Sequence, residues 1–153
     1  MHLAQLDIAR PLYPLDAPQI KDFVDNLEFI NGIAEHSPGF IWRLQDESGD
    51  ATAIQAFEAP EVIVNMSVWT SPEMLKDFMF KTAHRSFFRR KAQWFERMPQ
   101  ASYVLWWIPE GHIPPLPEAL ARLEYLRQHG ESPFAFSFKQ LYPASAQPDT
   151  TTP

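Results

Sequence analysis

Between Asn65 and Phe95 the chain gathers an amide, a hydroxyl, an indole and an imidazole: Asn65, Ser67, Trp69 and His84. In Val62-Ile63-Val64-Asn65-Met66-Ser67-Val68-Trp69, strand alternation sets Asn65, Ser67 and Trp69 on one face and the aliphatic residues on the other. A donor amide and a large aromatic thereby share a surface. His84 follows on the next helix, and an imidazole that titrates near neutrality can take a proton from a hydroxyl or an activated methylene. The same ring can ligate haem iron or a divalent metal, or serve only in packing. Nothing near it has the spacing of a known metal motif, so no metal site is expected. Arg43 is a polar residue inside a strand, facing away from Trp42, and can pair with an anionic substrate group or with an acidic residue of a second copy. Phe88 and Trp107 are candidate cavity walls. A structural account stands beside each of these: a strand Trp commonly fills a core, and a strand Asn can bond to a neighbouring backbone.

These side chains need elements to position them. His2 to Ala9 alternates Ala4, Leu6 and Ile8 against Gln5 and Asp7, as a first strand does. Asp16 can cap a helix beginning near Ala17-Pro18, whose apolar positions Ile20, Phe23, Val24, Leu27, Ile30 and Ala34 share one side. Ser37-Pro38-Gly39 ends it. Phe40 to Gln45 reads as a second strand, with Phe40, Trp42 and Leu44 on one face and Ile41 and Arg43 on the other. Residues 51–61 are left unassigned between strand and covering loop. After the strand at 62–69, Ser71 and Pro72 start a long helix over about 72–97. Its apolar positions drift, so a bend or break is expected near His84. The basic run Arg89-Arg90-Lys91 in its second half is expected to face solvent. Tyr103 to Ile108 (YVLWWI) is a continuous apolar run and reads as a buried strand. A proline-rich linker leads to a last helix ending at Gly130, and Phe134 to Leu141 alternates as a final strand. One domain over 1–142 and a disordered tail over 143–153 are expected.

Composition limits the function classes. The 153 residues suit one domain, and 45% hydrophobic with 21% charged residues is ordinary for a globular protein. A net charge of -6 disfavours nucleic acid or an anionic membrane as partner. No apolar run approaches the roughly 18 residues of a membrane span, and no basic-then-apolar leader opens the chain. The absence of cysteine excludes disulfides and thiolate chemistry and fits the cytoplasm. The five Trp and twelve Phe fit either a bulky core or an aromatic-lined cavity.

The order β, α, β, β, α, β with an added helix and strand is the ferredoxin-like βαββαβ arrangement, an α+β antiparallel sheet with helices on one face. One layer of helices buries one face only, so a second copy is expected on the other, as a two-fold dimer.

The segments HLAQLDIA, DNLEFINGIAEHSPGFIWRLQ, NMSVWTSPE with His84 beyond it, RRKAQWFERM and YVLWWIPEGHIP resemble the DUF3291 family, within or close to the dimeric α+β barrel superfamily of antibiotic-biosynthesis-type monooxygenases. The family name carries no activity, and the superfamily includes cofactor-independent monooxygenases, isomerases and haem-binding members. Its cofactor-free monooxygenases use an Asn and a Trp four residues apart on a strand, the spacing of Asn65 and Trp69. Chemically, an amide can stabilise an enolate or phenolate oxygen, and an indole can offer a wall and an N–H. The resemblance therefore implies a homodimeric monooxygenase-like enzyme acting on a small planar aromatic or polyketide-like substrate without cofactor. Asn65, Trp69 and His84 would be catalytic, with Arg43, Phe88 and Trp107 in contact with substrate. The alternative is a non-catalytic small-molecule or haem-binding module.

Overall fold

A computed structural model of the chain describes residues 1–45 and 62–144. The segment 51–61 and the tail from 145 onward lie outside the described residues. Four strands, β1 (His2–Ala9), β2 (Phe40–Arg43), β3 (Ile63–Trp69) and β4 (Tyr103–Ile108), form one antiparallel sheet in the order β2-β3-β1-β4. A 3-10 turn (Pro18–Ile20), α1 (Lys21–Asp25) and α2 (Leu27–Glu35) join β1 to β2, while α3 (Pro72–Lys81), α4 (His84–Arg89) and α5 (Lys91–Trp94) join β3 to β4. The last helix, α6 (Leu116–His129), follows β4. With β1 central and the strand order as above, this is the ferredoxin-like arrangement expected from the element order.

Local chemistry explains the helix limits. Ser71 accepts a hydrogen bond from the Met74 N–H at 3.3 Å and Pro72 opens α3, as the sequence indicates. The break before His84 sits at Thr82, whose backbone is extended; its hydroxyl donates to the Phe78 carbonyl and accepts from the His84 N–H. The first helix is also interrupted, at Asn26, where the side-chain amide donates to the Asp22 carbonyl. Asp16 does not cap it: the capping position is Ala17, with no side-chain bond. Gly39 has φ +85, and a Cβ there would lie 2.5 Å from the Met74 side chain, so the turn into β2 requires glycine twice over.

The sheet's two faces are unlike. Ala4, Leu6 and Ile8 of β1, Val64, Met66 and Val68 of β3, and Val104, Trp106 and Ile108 of β4 form one buried cluster with Ala119, Leu123 and Leu126 of α6. The chain's own last helix thus covers the face expected to be open, and the apolar residues of that face are buried within one protomer. The first five helices lie over the opposite face, where Leu3, Trp69 and Leu105 pack with Ala34, Leu75 and Phe78.

Two expectations about strands change. A bulge between Phe40 and Trp42 places Phe40 against Trp69, while Trp42 and Leu44 join the α6-side cluster, so strict alternation fails in β2. The final strand is present only as a bridge, Leu105 with Phe136, bonded in both directions at 2.7 and 3.0 Å on the outer edge of β4. Past it, Tyr142 and Ala144 pack against the cluster of Leu3, Leu105 and Phe136. Among the described residues no helix is long and apolar enough to cross a membrane.

Candidate functional site

On the face beneath α1 to α5 the alternation of β1 and β3 brings polar side chains together in a row. The register pairs Gln5 with Ser67 and Asp7 with Asn65, all on this one face. The Gln5 amide donates to Ser67 Oγ at 2.8 Å and to Asn65 Oδ1 at 3.1 Å. Asn65 therefore has its oxygen engaged and its Nδ2 donors left toward the space above, where the side chain is exposed. That space is a cavity of about 210 Å³, at the small end of ligand sites.

Its floor is this polar row and its walls are aromatic. Trp69 is 1% exposed, stacked on Phe78 at 5.2 Å and met edge-on by Phe40 at 5.5 Å. Its indole N–H donates to Ser67 Oγ at 2.8 Å, so it is not free to hold a ligand; Trp69 supplies a wall and fixes the floor. Phe23, Phe87, Phe88, Trp94 and Phe95 line the remainder. Phe88, 42% exposed and in edge contact with Phe80, stands at the surface end.

His84 lines the same cavity from the roof. Its ring packs against Phe78 at 4.8 Å and lies 6.3 Å from Phe88. A single ring, Phe78, lies between His84 and Trp69. Nδ1 lies 3.2 Å from the Met79 carbonyl, which can only accept, so Nδ1 carries the hydrogen and Nε2 the lone pair. Burial pushes the His84 pKa below its ordinary value; the Met79 bond opposes this and the Lys91 charge adds to it. The ring is neutral near pH 7 and offers a base.

Asp7 was not singled out in the sequence, where it reads as one polar position of an alternating strand. In the fold its carboxyl pKa is raised by burial, with the nearby Lys91 charge opposing, and its Oδ1 has no partner. Lys91, expected in solvent with its basic run, lines the cavity. Its neighbour Arg90 stacks over Trp94 at 4.5 Å and pairs with Asp22 at 3.1 Å, tying α1 to the roof.

The remaining candidates divide. Arg43 lines the cavity, but its Nε donates to Glu35 Oε1 at 2.7 Å, a pairing within the chain rather than across subunits. Trp107 lies on the same sheet face yet is not among the lining residues; it packs in the cluster of Leu3, Leu105 and Phe136, and its indole N–H donates to the Tyr142 carbonyl at 2.8 Å. It is a core residue holding the C-terminal segment. Among the described residues no three His, Cys, Asp or Glu side chains converge as a metal would need.

A family model described as a domain of unknown function, DUF3291, matches residues 2–152. The chain belongs to the DUF3291 family. No curated protein matches it in sequence. Among solved structures it is similar to a candidate antibiotic biosynthesis monooxygenase from Nitrosomonas europaea, at 14% identity and a TM-score of 0.43, covering 63% of this chain and 82% of that one. A second candidate of that name, from Chloroflexus aurantiacus J-10-fl, is 16% identical with a TM-score of 0.45 and coverage of 73% and 97%. A protein of unknown function from Nitrosomonas europaea is 11% identical with a TM-score of 0.47, covering 74% and 95%.

Proposed function

We propose that this protein binds a small planar aromatic molecule between sheet and helices and oxygenates it as a monooxygenase-like enzyme, with no metal or flavin. The observation that carries this reading is His84: a neutral imidazole with its Nε2 lone pair free, on an aromatic-walled cavity whose floor presents the Asn65 amide. Asn65 Nδ2 would hold the phenolic oxygen, Trp69 and Phe78 would flank the ring, and His84 Nε2 would take the phenolic proton. The electron-rich anion then reacts with dioxygen. One oxygen atom enters the ring, the other leaves as water with the two hydrogens lost by the substrate, and the product is a quinone.

The small volume argues for one or two fused rings rather than an extended polyketide. With 1-naphthol as probe, quenching of the fluorescence of Trp69 and Trp94 reads binding and an oxygen electrode reads turnover. His84→Ala is expected to keep the quenching and lower oxygen uptake by about 100-fold or more. Quenching without oxygen uptake in the parent protein rejects the oxygenase reading. The competing module without turnover draws on the same free Nε2, which could ligate haem; a Soret shift on adding haem, lost in His84→Ala, would favour it.

The homodimer rests on the resemblance alone, because α6 already covers the apolar sheet face that called for a second copy. Light scattering at micromolar concentration tests it, and a monomer counts against it. A cysteine-free chain suits a reducing compartment, and we propose the cytoplasm.

A further inference from the structure

Among the described residues one buried side-chain oxygen or nitrogen lacks a hydrogen-bond partner, Oδ1 of Asp7, and Asp7 lines the cavity. A buried polar atom without a partner is destabilising and uncommon, so its retention calls for a role. Nothing in the oxygenase reading uses it.

We propose that Asp7 and His84 act as acid and base on one ligand, and that this ligand is a planar ketone with an acidic C–H beside its carbonyl, which the protein enolises. The inference rests on the preceding reading of the cavity as a ligand site and of His84 as its base. The placement comes from opposite layers: Asp7 is on the sheet floor, paired in register with Asn65, and His84 is on the helical roof at the start of α4. A carbonyl oxygen on the floor would accept from the Asp7 carboxyl and from Asn65 Nδ2, whose own oxygen is held by Gln5. The edge of the ring would then face the roof and the Nε2 lone pair.

The step balances without an oxidant. Nε2 takes the proton from the carbon, the C–H electron pair becomes the new carbon–carbon double bond, and the carbonyl π pair moves to oxygen. That oxygen takes the proton of the Asp7 carboxyl. The products are enol, imidazolium and carboxylate, and return of the protons to the same carbon or to a conjugated one gives exchange or an isomer. The environments suit the roles, since burial raises the Asp7 pKa and lowers that of His84, pushing the carboxyl toward its protonated form and the imidazole toward its neutral one. Among the described residues Lys91 and Arg43 are the other charged groups lining the cavity, and Lys91 weighs against the proton on both Asp7 and His84.

The test is deuterium incorporation at the acidic methylene of 2-tetralone in neutral D2O under nitrogen, followed by proton NMR, with binding read by tryptophan fluorescence. The parent protein is expected to accelerate exchange over buffer, and His84→Gln to return it to the buffer rate. Asp7→Leu, which replaces the carboxyl with an apolar side chain of similar size, should lower exchange by about 100-fold with tetralone still bound. Asp7→Asn, which keeps a donor but no transferable proton, should fall between the two and serves if Asp7→Leu does not fold. Failure of the ketone to bind, exchange no faster than buffer, or full exchange in the folded Asp7 variants overturns the proposal. Exchange under nitrogen with no oxygen uptake from 1-naphthol in air removes the oxygenase reading and leaves this one standing; oxygen uptake without exchange does the reverse.

Discussion

On one face of the sheet Leu6, Met66 and Trp106 are sealed beneath α6, an unbroken helix of 14 residues. On the other, Gln5, Asp7, Asn65 and Ser67 lie under a layer interrupted at Asn26, Thr82 and Arg90, with a cavity left between. The same strands build both, because alternation sends every second residue to each side. An apolar row can be closed by any helix of matching shape. A polar row closed that way would strand its donors and acceptors, so it survives where solvent or a ligand can meet it. The face that packs best is therefore the one with no chemistry, and the site lies where packing stops.

The contrast can be broken most directly through stability. Leu123→Ala, on the sealed face, is expected to lower the unfolding free energy by about 2–5 kcal/mol in a urea titration. Asn65→Ala, on the open face, should lose no more than about 1 kcal/mol, the worth of one solvent-reachable hydrogen bond. Equal losses would show that both faces are ordinary core.

Asp7 sharpens the comparison through pH. Its folded pKa is raised by burial, so the stability it contributes is complete in acid, below the ordinary carboxylate value, and is lost as pH rises through the raised one. Asp7→Asn removes that loss. Its melting temperature should exceed the parent's at neutral pH, and the gap should close in acid; a gap that stays constant with pH would mean that folding does not shift the Asp7 pKa. His84 runs the opposite way and gives the smallest effect. Its folded pKa is lowered by burial, so its contribution is present above the ordinary imidazole value and is lost as pH falls through the lowered one. His84→Gln should flatten that acid-side decline in melting temperature.

The sequence by itself determined the elements whose signal is local. The alternation of β1 and β3, the apolar run of β4, the Ser71-Pro72 start of α3 and the stop at Gly130 all rest on neighbours within a few residues, and each stands where the pattern placed it. It also placed Asn65, Ser67 and Trp69 on one face, because period two needs no partner. Tertiary structure alone decided the rest. The β2 bulge arises from pairing with β3, so no residue spacing announced that Trp42 would leave the Phe40 face. That α6 would cover the second face, that Trp107 would hold the Tyr142 carbonyl, and that Trp69 would give its N–H to Ser67 depend on what lies across a gap in space. Asp7 is the clearest case: in the chain it is a polar residue of a half-exposed strand, and only the helices laid over it strip its water away and push its carboxyl toward the protonated form.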